Sequence, residues 1–240
     1  MTHHFPSVSA VVVAAGSGLR FGGDRAKQLM PLAGRPFLSR TLAAFQSSPV
    51  ITEMILVLPE NWLDVSLAEA VNPYGFSKVK AVSGGSSRSQ STRNGFEASC
   101  GEIVLVHDGV RPFIDQSLIE GVARAAWKQG AALAATPLRD TLKRVDDGMV
   151  AGTVPRENLW RAQTPQGFRR EILARGLAEA EGIETTDDIS LVERLGLSAA
   201  VVEAGGGDLK ITTPEDLRLA GAWRGVGADM GCGGCLLYTR

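Results

Sequence analysis

The chain has 240 residues, 44% of them hydrophobic and 6% aromatic, and its 25 Lys+Arg against 26 Asp+Glu leave a formal charge of -1. That length suits one large α/β domain or two small ones, and the hydrophobic fraction supports a folded core rather than wholesale disorder. The neutral balance argues against duplex DNA as the main partner, since phosphate neutralisation shows as a basic excess, but leaves room for a small phosphorylated ligand held by a few local cations.

The first residues, Met1-Thr2-His3-His4-Phe5-Pro6, carry no Lys or Arg, and the apolar run Ala10 to Ala15 is short for a signal-peptide core. No apolar run approaches the roughly 20 residues that span a bilayer, so a cytoplasmic protein without a membrane partner is expected. Val8 to Ala14 is β-branched and apolar, ends in glycine, and predicts a buried strand. It feeds a loop of small residues, Ala14-Ala15-Gly16-Ser17-Gly18-Leu19-Arg20-Phe21-Gly22-Gly23-Asp24-Arg25-Ala26-Lys27-Gln28. Backbone N–H groups in such a loop can approach anionic oxygens closely. A dinucleotide fingerprint needs a third glycine where Phe21 stands, and no acid lies between Asp24 and Glu53 to hold a ribose. A Walker A loop needs Gly-Lys-Ser/Thr after four spacers, where Gly23-Asp24 stands. With both excluded, Gly16-x-Gly18-x-Arg20 followed by Lys27 suits a triphosphate.

Helical spacing follows over Pro36 to Phe45, then a strand over Met54 to Leu58, a weaker helix over Leu63 to Val71, and a short strand over Val79 to Val82. Gly84-Gly85 then lets a planar base approach, and Ser91 lies near the start of a polar helix over Ser87 to Ser99; turn and helix-start duty explains the same residues. Cys100 is expected half-buried on that helix. The strand Ile103 to Val106 runs into His107-Asp108-Gly109-Val110-Arg111-Pro112, where a carboxylate and a guanidinium three residues apart can hold a sugar hydroxyl or metal ion and a phosphate, or simply pair with each other. A helix over Gln116 to Gln129 and a strand over Ala131 to Ala135 continue the alternation, which indicates a mostly parallel sheet covered on both faces, with ligands at the carboxyl ends of its strands.

From Leu138 to Trp160 the pattern changes. Thr141 to Val145 and Met149 to Val154 alternate around Asp146-Asp147-Gly148, a strong hairpin signal. A lone hairpin does not bury itself, so residues 138–160 are a candidate dimerisation arm inserted into a single domain over 7–223. Helices near Arg169 to Ala180 and Asp188 to Leu195, a strand near Ala199 to Glu203 and a last helix over Pro214 to Trp223 complete the chain. Thr185-Thr186-Asp187-Asp188 is helix-capping chemistry, and Lys210 reads as a strand lysine that needs an anionic partner if buried. Residues 224–240 read as a flexible Gly-rich tail. Cys232 and Cys235 form a C-x-x-C there with no second pair to complete a zinc site, and no metal ligand is assigned anywhere in the chain. Only His107 is an internal histidine, so the chemistry is expected to rest on Lys, Arg and Asp.

AAGSGLRFGGDRAKQ, VHDGVRPFI, RDTLKR, LWRAQTPQGF, TDD and LKITTPEDL, spread over Val8 to Ala222, resemble in their order the 2-C-methyl-D-erythritol 4-phosphate cytidylyltransferase family. The resemblance implies an α/β, Rossmann-like nucleotidyltransferase fold with a projecting β-arm, homodimeric through that arm. It implies that Ala14, Ala15, Gly16, Gly85 and Ser91 surround the cytidine and first phosphate of CTP. Arg20 and Lys27 would stabilise the triphosphate in the transition state, and Lys210 would lie near the α-phosphate. Asp108 and Arg111 would serve the ribose and the second substrate, Thr141 and Arg156 would reach the neighbouring subunit's polyol phosphate, and Thr164 and Thr186 would be pocket threonines. Mg²⁺ or another divalent cation would be bound mainly through the CTP phosphates. The sequence departs from the family where Ala26, in place of proline, precedes Lys27, and where His107-Asp108-Gly109-Val110 replaces a commoner small-Ala version. Ribitol 5-phosphate as second substrate, a sugar-1-phosphate nucleotidyltransferase, and a non-catalytic nucleotide-binding regulator remain alternatives.

Overall fold

A computed structural model of the chain describes residues 5–16, 26–205, 207 and 209–227. Its elements in chain order are β1 (Val8–Val13), β2 (Pro31–Leu32), β3 (Arg35–Pro36), α1 (Phe37–Ser47), β4 (Glu53–Leu58), α2 (Leu63–Ser66), β5 (Val79–Ser83), α3 (Arg88–Ala98), β6 (Ile103–Asp108), α4 (Gln116–Gln129), β7 (Ala131–Pro137), β8 (Leu142–Asp146), β9 (Met149–Val154), β10 (Trp160–Arg169), α5 (Arg170–Glu179), α6 (Ile189–Arg194), β11 (Ala200–Glu203) and α7 (Pro214–Gly227). Seven strands form one sheet in the order β11-β7-β10-β6-β1-β4-β5. All neighbours are parallel except β10, which runs antiparallel to both β6 and β7.

The period of two along each strand divides its side chains between two cores. Val8, Ala10 and Val12 face one, with Leu56, Leu105, Leu42, Phe45, Ile119 and Val122. Val11, Ile55, Val104 and Val106 face the other, with Phe168, Leu173, Leu177 and Leu191. Burial on both faces is why β1, β4 and β6 read as continuous apolar runs. A third, small cluster joins Leu32, Phe37, Ile211 and Ala220, with Val110 and Phe113 packed against it. It ties the β2–β3 ribbon, the loop after β6 and α7 together. Polar residues set the helix starts: Ser87 Oγ accepts from Gln90 N at 3.1 Å for α3, and Asp115 Oδ1 from Leu118 N at 2.7 Å for α4.

The arm forms as its sequence predicts. Strands β8 and β9 pair antiparallel, and Asp147 and Gly148 take φ of 47° and 79°, both positive as a two-residue hairpin turn requires. The arm is the connection between β7 and β10, which pair from Pro137 and Trp160 inward.

Two expectations need correction, and two elements were not foreseen. The sequence pattern assigns no strand past the end of the arm at Trp160, yet β10 runs on to Arg169 inside the sheet, between β7 and β6. Pro165 argues against a central strand, and the register shift between Ala162 and Gln166 takes it out of the ladder. Cys100 lies beyond the Ser99 cap of α3 and is exposed, not half-buried on the helix. The last helix runs past Trp223 to Gly227, so the tail expected over 224–240 begins as helix; Cys232 and Cys235 lie outside the described residues. The β2–β3 ribbon, two residues a strand, had no sequence signal. No helix among the described residues is long and apolar enough to cross a membrane.

Candidate active site

The loops after β1, β5 and β6 leave the same edge of the sheet. Backbone hydrogen bonds extend the ladder beyond the strands and hold the loop starts side by side: Ala14 N to Val57 O at 2.8 Å, Gly84 N to Leu58 O at 2.7 Å, and Gly109 N to Val13 O at 2.9 Å. Packing there is close enough to demand glycine. A Cβ on Gly84 would stand 2.4 Å from Ala15 Cβ, and one on Gly85 would stand 2.0 Å from Gln90 Cγ. The glycine pair is therefore required by the protein's own packing, against Ala15 after β1 and Gln90 in α3, whatever ligand approaches. Gly85 N donates to Ser91 Oγ at 3.1 Å, and that hydroxyl donates to Ser87 O at 2.8 Å, so the buried Ser91 shapes the loop from within.

Asp108, the last residue of β6, is the hub. Its Oδ2 lies 2.8 Å from Lys210 Nζ and 3.5 Å from Arg111 Nε, and its Oδ1 lies 3.5 Å from Arg88 Nη2. Burial alone would raise its carboxyl pKa, but Lys210, Arg88 and Arg111 hold it well below the usual carboxylate range. The Asp108–Arg111 pair is thus real, and part of a larger cluster. Arg88 Nη2 also meets Asp188 Oδ2 at 2.7 Å. Burial disfavours the Arg88 charge, yet the carboxylates of Asp188 and Asp108 raise its pKa. Three cations face two carboxylates, so the cluster is net positive and suits an anionic ligand.

His107, whose ring is fully buried, backs this cluster. Its Nε2 is 3.3 Å from Arg111 O, which can only accept, so Nε2 carries the proton. Nδ1 then accepts from Thr164 Oγ1 at 3.0 Å, and the same hydroxyl accepts from Asp108 N at 3.2 Å. Burial pushes the imidazole pKa down to about 4 despite the nearby Asp108 charge, so the ring is neutral near pH 7. Thr164 accordingly lies behind Asp108, engaged with the protein itself.

Lys27 opens a turn over Lys27–Leu29, anchored by the buried Leu29 and by Met30 N to Lys27 O at 3.0 Å. Ala26 takes φ of -58°, the angle the family's proline would impose. Lys210 lies on a loop rather than on the expected strand, and its side chain is 45% exposed. The loop is fixed by Ile211 N donating to Val110 O at 3.0 Å and by burial of Ile211. Arg20 lies outside the described residues. Gly16 is exposed near the start of the loop after β1, and Thr186 is exposed ahead of α6. Thr141 and Arg156 are exposed on the arm, where the Arg156 guanidinium donates to Arg139 O.

The structure thus brings Ala14, Ala15, Gly85, Ser91, Asp108, Arg111 and Lys210 to one edge of the sheet, with Thr164 behind them. Sequence reasoning missed Arg88, Asp188 and Gln166. One signal existed: a cation in the first turn of a helix opposes the helix dipole and calls for carboxylates nearby. Capping of α6 falls to Asp187, whose Oδ1 accepts from Ser190 N at 3.2 Å, which frees the Asp188 carboxylate for Arg88. Two cavities, of about 190 and about 460 Å³, lie on the far side of Arg88 around the α5–α6 loop, both bordered by Ile183, Glu184 and Thr185.

An open, mostly parallel sheet with a cluster of cations at its strand ends and a hairpin arm defines an α/β nucleotidyltransferase. The family model for 2-C-methyl-D-erythritol 4-phosphate cytidylyltransferase matches residues 8–224, and the chain belongs to that family. The enzyme of that name from Geotalea uraniireducens is 45% identical over 223 residues, covering 90% of this chain and 96% of its own. The one from Syntrophotalea carbinolica is 43% identical over 229 residues, covering 93% and 98%. Among solved structures, 4-diphosphocytidyl-2C-methyl-D-erythritol synthase from Anaerococcus prevotii superposes with a TM-score of 0.80 at 32% identity, covering 91% of this chain and 96% of that one. The cytidylyltransferase from Thermus thermophilus gives 0.76 at 36% identity, covering 90% and 98%.

Proposed function

We propose that this nucleotidyltransferase moves the cytidylyl group of CTP onto 2-C-methyl-D-erythritol 4-phosphate and releases diphosphate. The observation that carries the chemistry is the Asp108 cluster, in which Lys210, Arg111 and Arg88 converge on one buried carboxylate at the strand ends. A phosphate oxygen of the polyol attacks the α-phosphorus in line. The new P–O bond forms as the bond to the bridging oxygen breaks, and diphosphate leaves with the electron pair. The nucleophile is already an anion near pH 7, so no general base is needed, in keeping with a histidine that is buried and neutral. The barrier is mainly repulsion between anions plus charge growing at phosphorus, which fixed cations relieve.

In this reading Ala14, Ala15, Gly16, Gly85 and Ser91 form the wall for cytidine and the first phosphate. Arg20 and Lys27 hold the triphosphate, and Lys210 meets the α-phosphate. Asp108 and Arg111 orient ribose and polyol, with Thr164 fixing Asp108 from behind and Thr186 at the rim. A divalent cation would offset phosphate charge. Among the described residues no three His, Cys, Asp or Glu side chains cluster, and in this reading its ligands would come mainly from the CTP phosphates. Thr141 and Arg156 act across a homodimer. Support comes from Met149 and Val150 on the arm, 74% and 64% exposed, which a second subunit would cover. Both substrates are charged phosphates that do not cross a bilayer, so the reading includes a cytoplasmic location.

The test offers CTP and Mg²⁺ with methylerythritol phosphate and, in parallel, with ribitol 5-phosphate, and follows diphosphate. Release with the first is expected. Release with ribitol phosphate alone would assign the site to another polyol, and CTP binding without release would make the chain a nucleotide sensor.

A further inference from the structure

The Asp108 carboxylate is gripped from two sides. Lys210 and Arg111 lie on Oδ2, and Arg88 lies on Oδ1. A carboxylate held at one oxygen can still rotate; one held at both cannot. Arg88 is fixed in turn. Its Nη2 meets Asp188 Oδ2 at 2.7 Å, and the Asp188 side chain is 1% exposed. The Asp188 backbone is pinned by Gln166 on β10: Gln166 Oε1 accepts from both Asp188 N and Ile189 N at 2.9 Å, and its Nε2 donates to Asp187 Oδ2 at 3.2 Å. Two residues back on the same strand, Thr164 Oγ1 receives the Asp108 N–H. The path from Asp108 through Arg88, Asp188, Gln166 and Thr164 returns to Asp108. It is a closed circuit across the start of α3, the start of α6, β10 and the end of β6.

A second observation sets Arg88 apart from an ordinary stabilising ion pair. Its Nη1 is buried with no hydrogen-bond partner among the described residues. A buried donor left unpaired is unfavourable, so the guanidinium is retained against a local cost. We propose that Arg88 is a positioning residue for cytidylyl transfer: it fixes the rotation of the Asp108 carboxylate and, through it, the place of the Lys210 ammonium. Asp188 and Gln166 aim Arg88. The inference rests on the cytidylyltransferase reading and extends it to three residues to which that reading gave no role.

The test is a double-mutant cycle on diphosphate release, with CTP and methylerythritol phosphate varied separately. Removing Arg88 alone would strand the buried Asp188 charge, so the working variant is Arg88→Gln with Asp188→Asn, which removes both charges and leaves two amides able to pair. It is expected to lower kcat by at least about tenfold, the scale of a displaced reacting group, while KM for CTP stays within about threefold. In a Lys210→Ala background the same pair of changes should cost less than about threefold more, because the ammonium that Arg88 positions is already gone. Arg88→Lys, which keeps a charge between the carboxylates, should recover most of the rate. Thermal melts of each variant give the folded fraction for normalising the rates. Full and independent losses in both backgrounds would overturn the inference, as would unchanged kcat in the double variant, or Arg88→Lys no better than the pair of amides. A wild-type chain that releases no diphosphate would remove the reading itself, a result separable from every variant outcome.

Discussion

At the strand ends, Asp108 is buried and shared by cations from three parts of the chain. On the arm, and among the described residues, Lys143 bonds only Thr153 across its own ribbon, and Arg156 reaches only the carbonyl of Arg139 at the arm's base. The residue types are alike; the support is not. A side chain held from several elements is placed before any ligand arrives. One that touches only its own hairpin gains a fixed position only against a second body. In the proposed reading the strand ends supply one half of a site, and the arm is the part that would need a neighbour.

The largest expected effect falls at the strand-end side. Lys27→Ala should lower kcat by at least about 10²-fold, the scale of losing one charge-stabilising donor. Unchanged turnover in a coupled diphosphate assay would remove Lys27 from the chemistry.

Acid should also act on this half. The unfolded chain protonates His107 near its ordinary value of 6.5, whereas the folded chain resists until about 4 because the ring is buried. The unfolded state binds the extra proton in that window, so this contribution is full above pH 6.5 and is lost as pH falls towards 4. The loss is on the order of 3 kcal/mol. Urea midpoints at pH 7.5 and 4.5 should fall further apart for the wild type than for His107→Asn; equal separations would deny the ring this part.

Arg156→Ala tests the arm. It should raise KM for the polyol phosphate by roughly tenfold, as for loss of one charged contact, and leave KM for CTP nearly unchanged. Mixing Arg156→Ala subunits with Lys210→Ala subunits should restore activity, because a mixed dimer holds one site with both residues intact. If mixing restores nothing, the arm serves its own chain and the contrast between the two regions fails.

The smallest effect concerns Ala26. Its φ of -58° already suits proline, so Ala26→Pro should stabilise the fold by about 0.5–1 kcal/mol by restricting the unfolded chain. A lower melting temperature would show that the loop needs the Ala26 N–H.

The parallel strands were legible because burial on both faces leaves near-continuous apolar runs such as Val8 to Val13, interrupted only by Ser9. The arm was legible because Asp147-Gly148 announces its turn. β10 was not, since Pro165 and Gly167 deny it any strand pattern and its pairing depends on a register shift. Asp108, Arg111 and Lys210 could be picked out by their strand-end positions and by family resemblance. Arg88 and Asp188 could not, because an ion pair spanning 100 residues leaves no periodic trace. Lys210 was placed on a strand because Leu209-Lys210-Ile211 alternates, but Ile211 is buried in the satellite cluster beside α7 and not in the sheet.

The place of β10 has a consequence for synthesis. β6 is finished at Asp108, but the strand that covers its free edge begins only at Trp160. At roughly 5–20 residues per second on the ribosome, that edge stands unpaired for several seconds. The exposed stretch, Ile103 to Val106, is apolar throughout, the kind of edge that recruits other strands. Because the arm is inserted ahead of β10, every residue of arm lengthens the interval. The hairpin that would join two finished subunits thus delays closure of each one's sheet, and high-level expression should load that interval first.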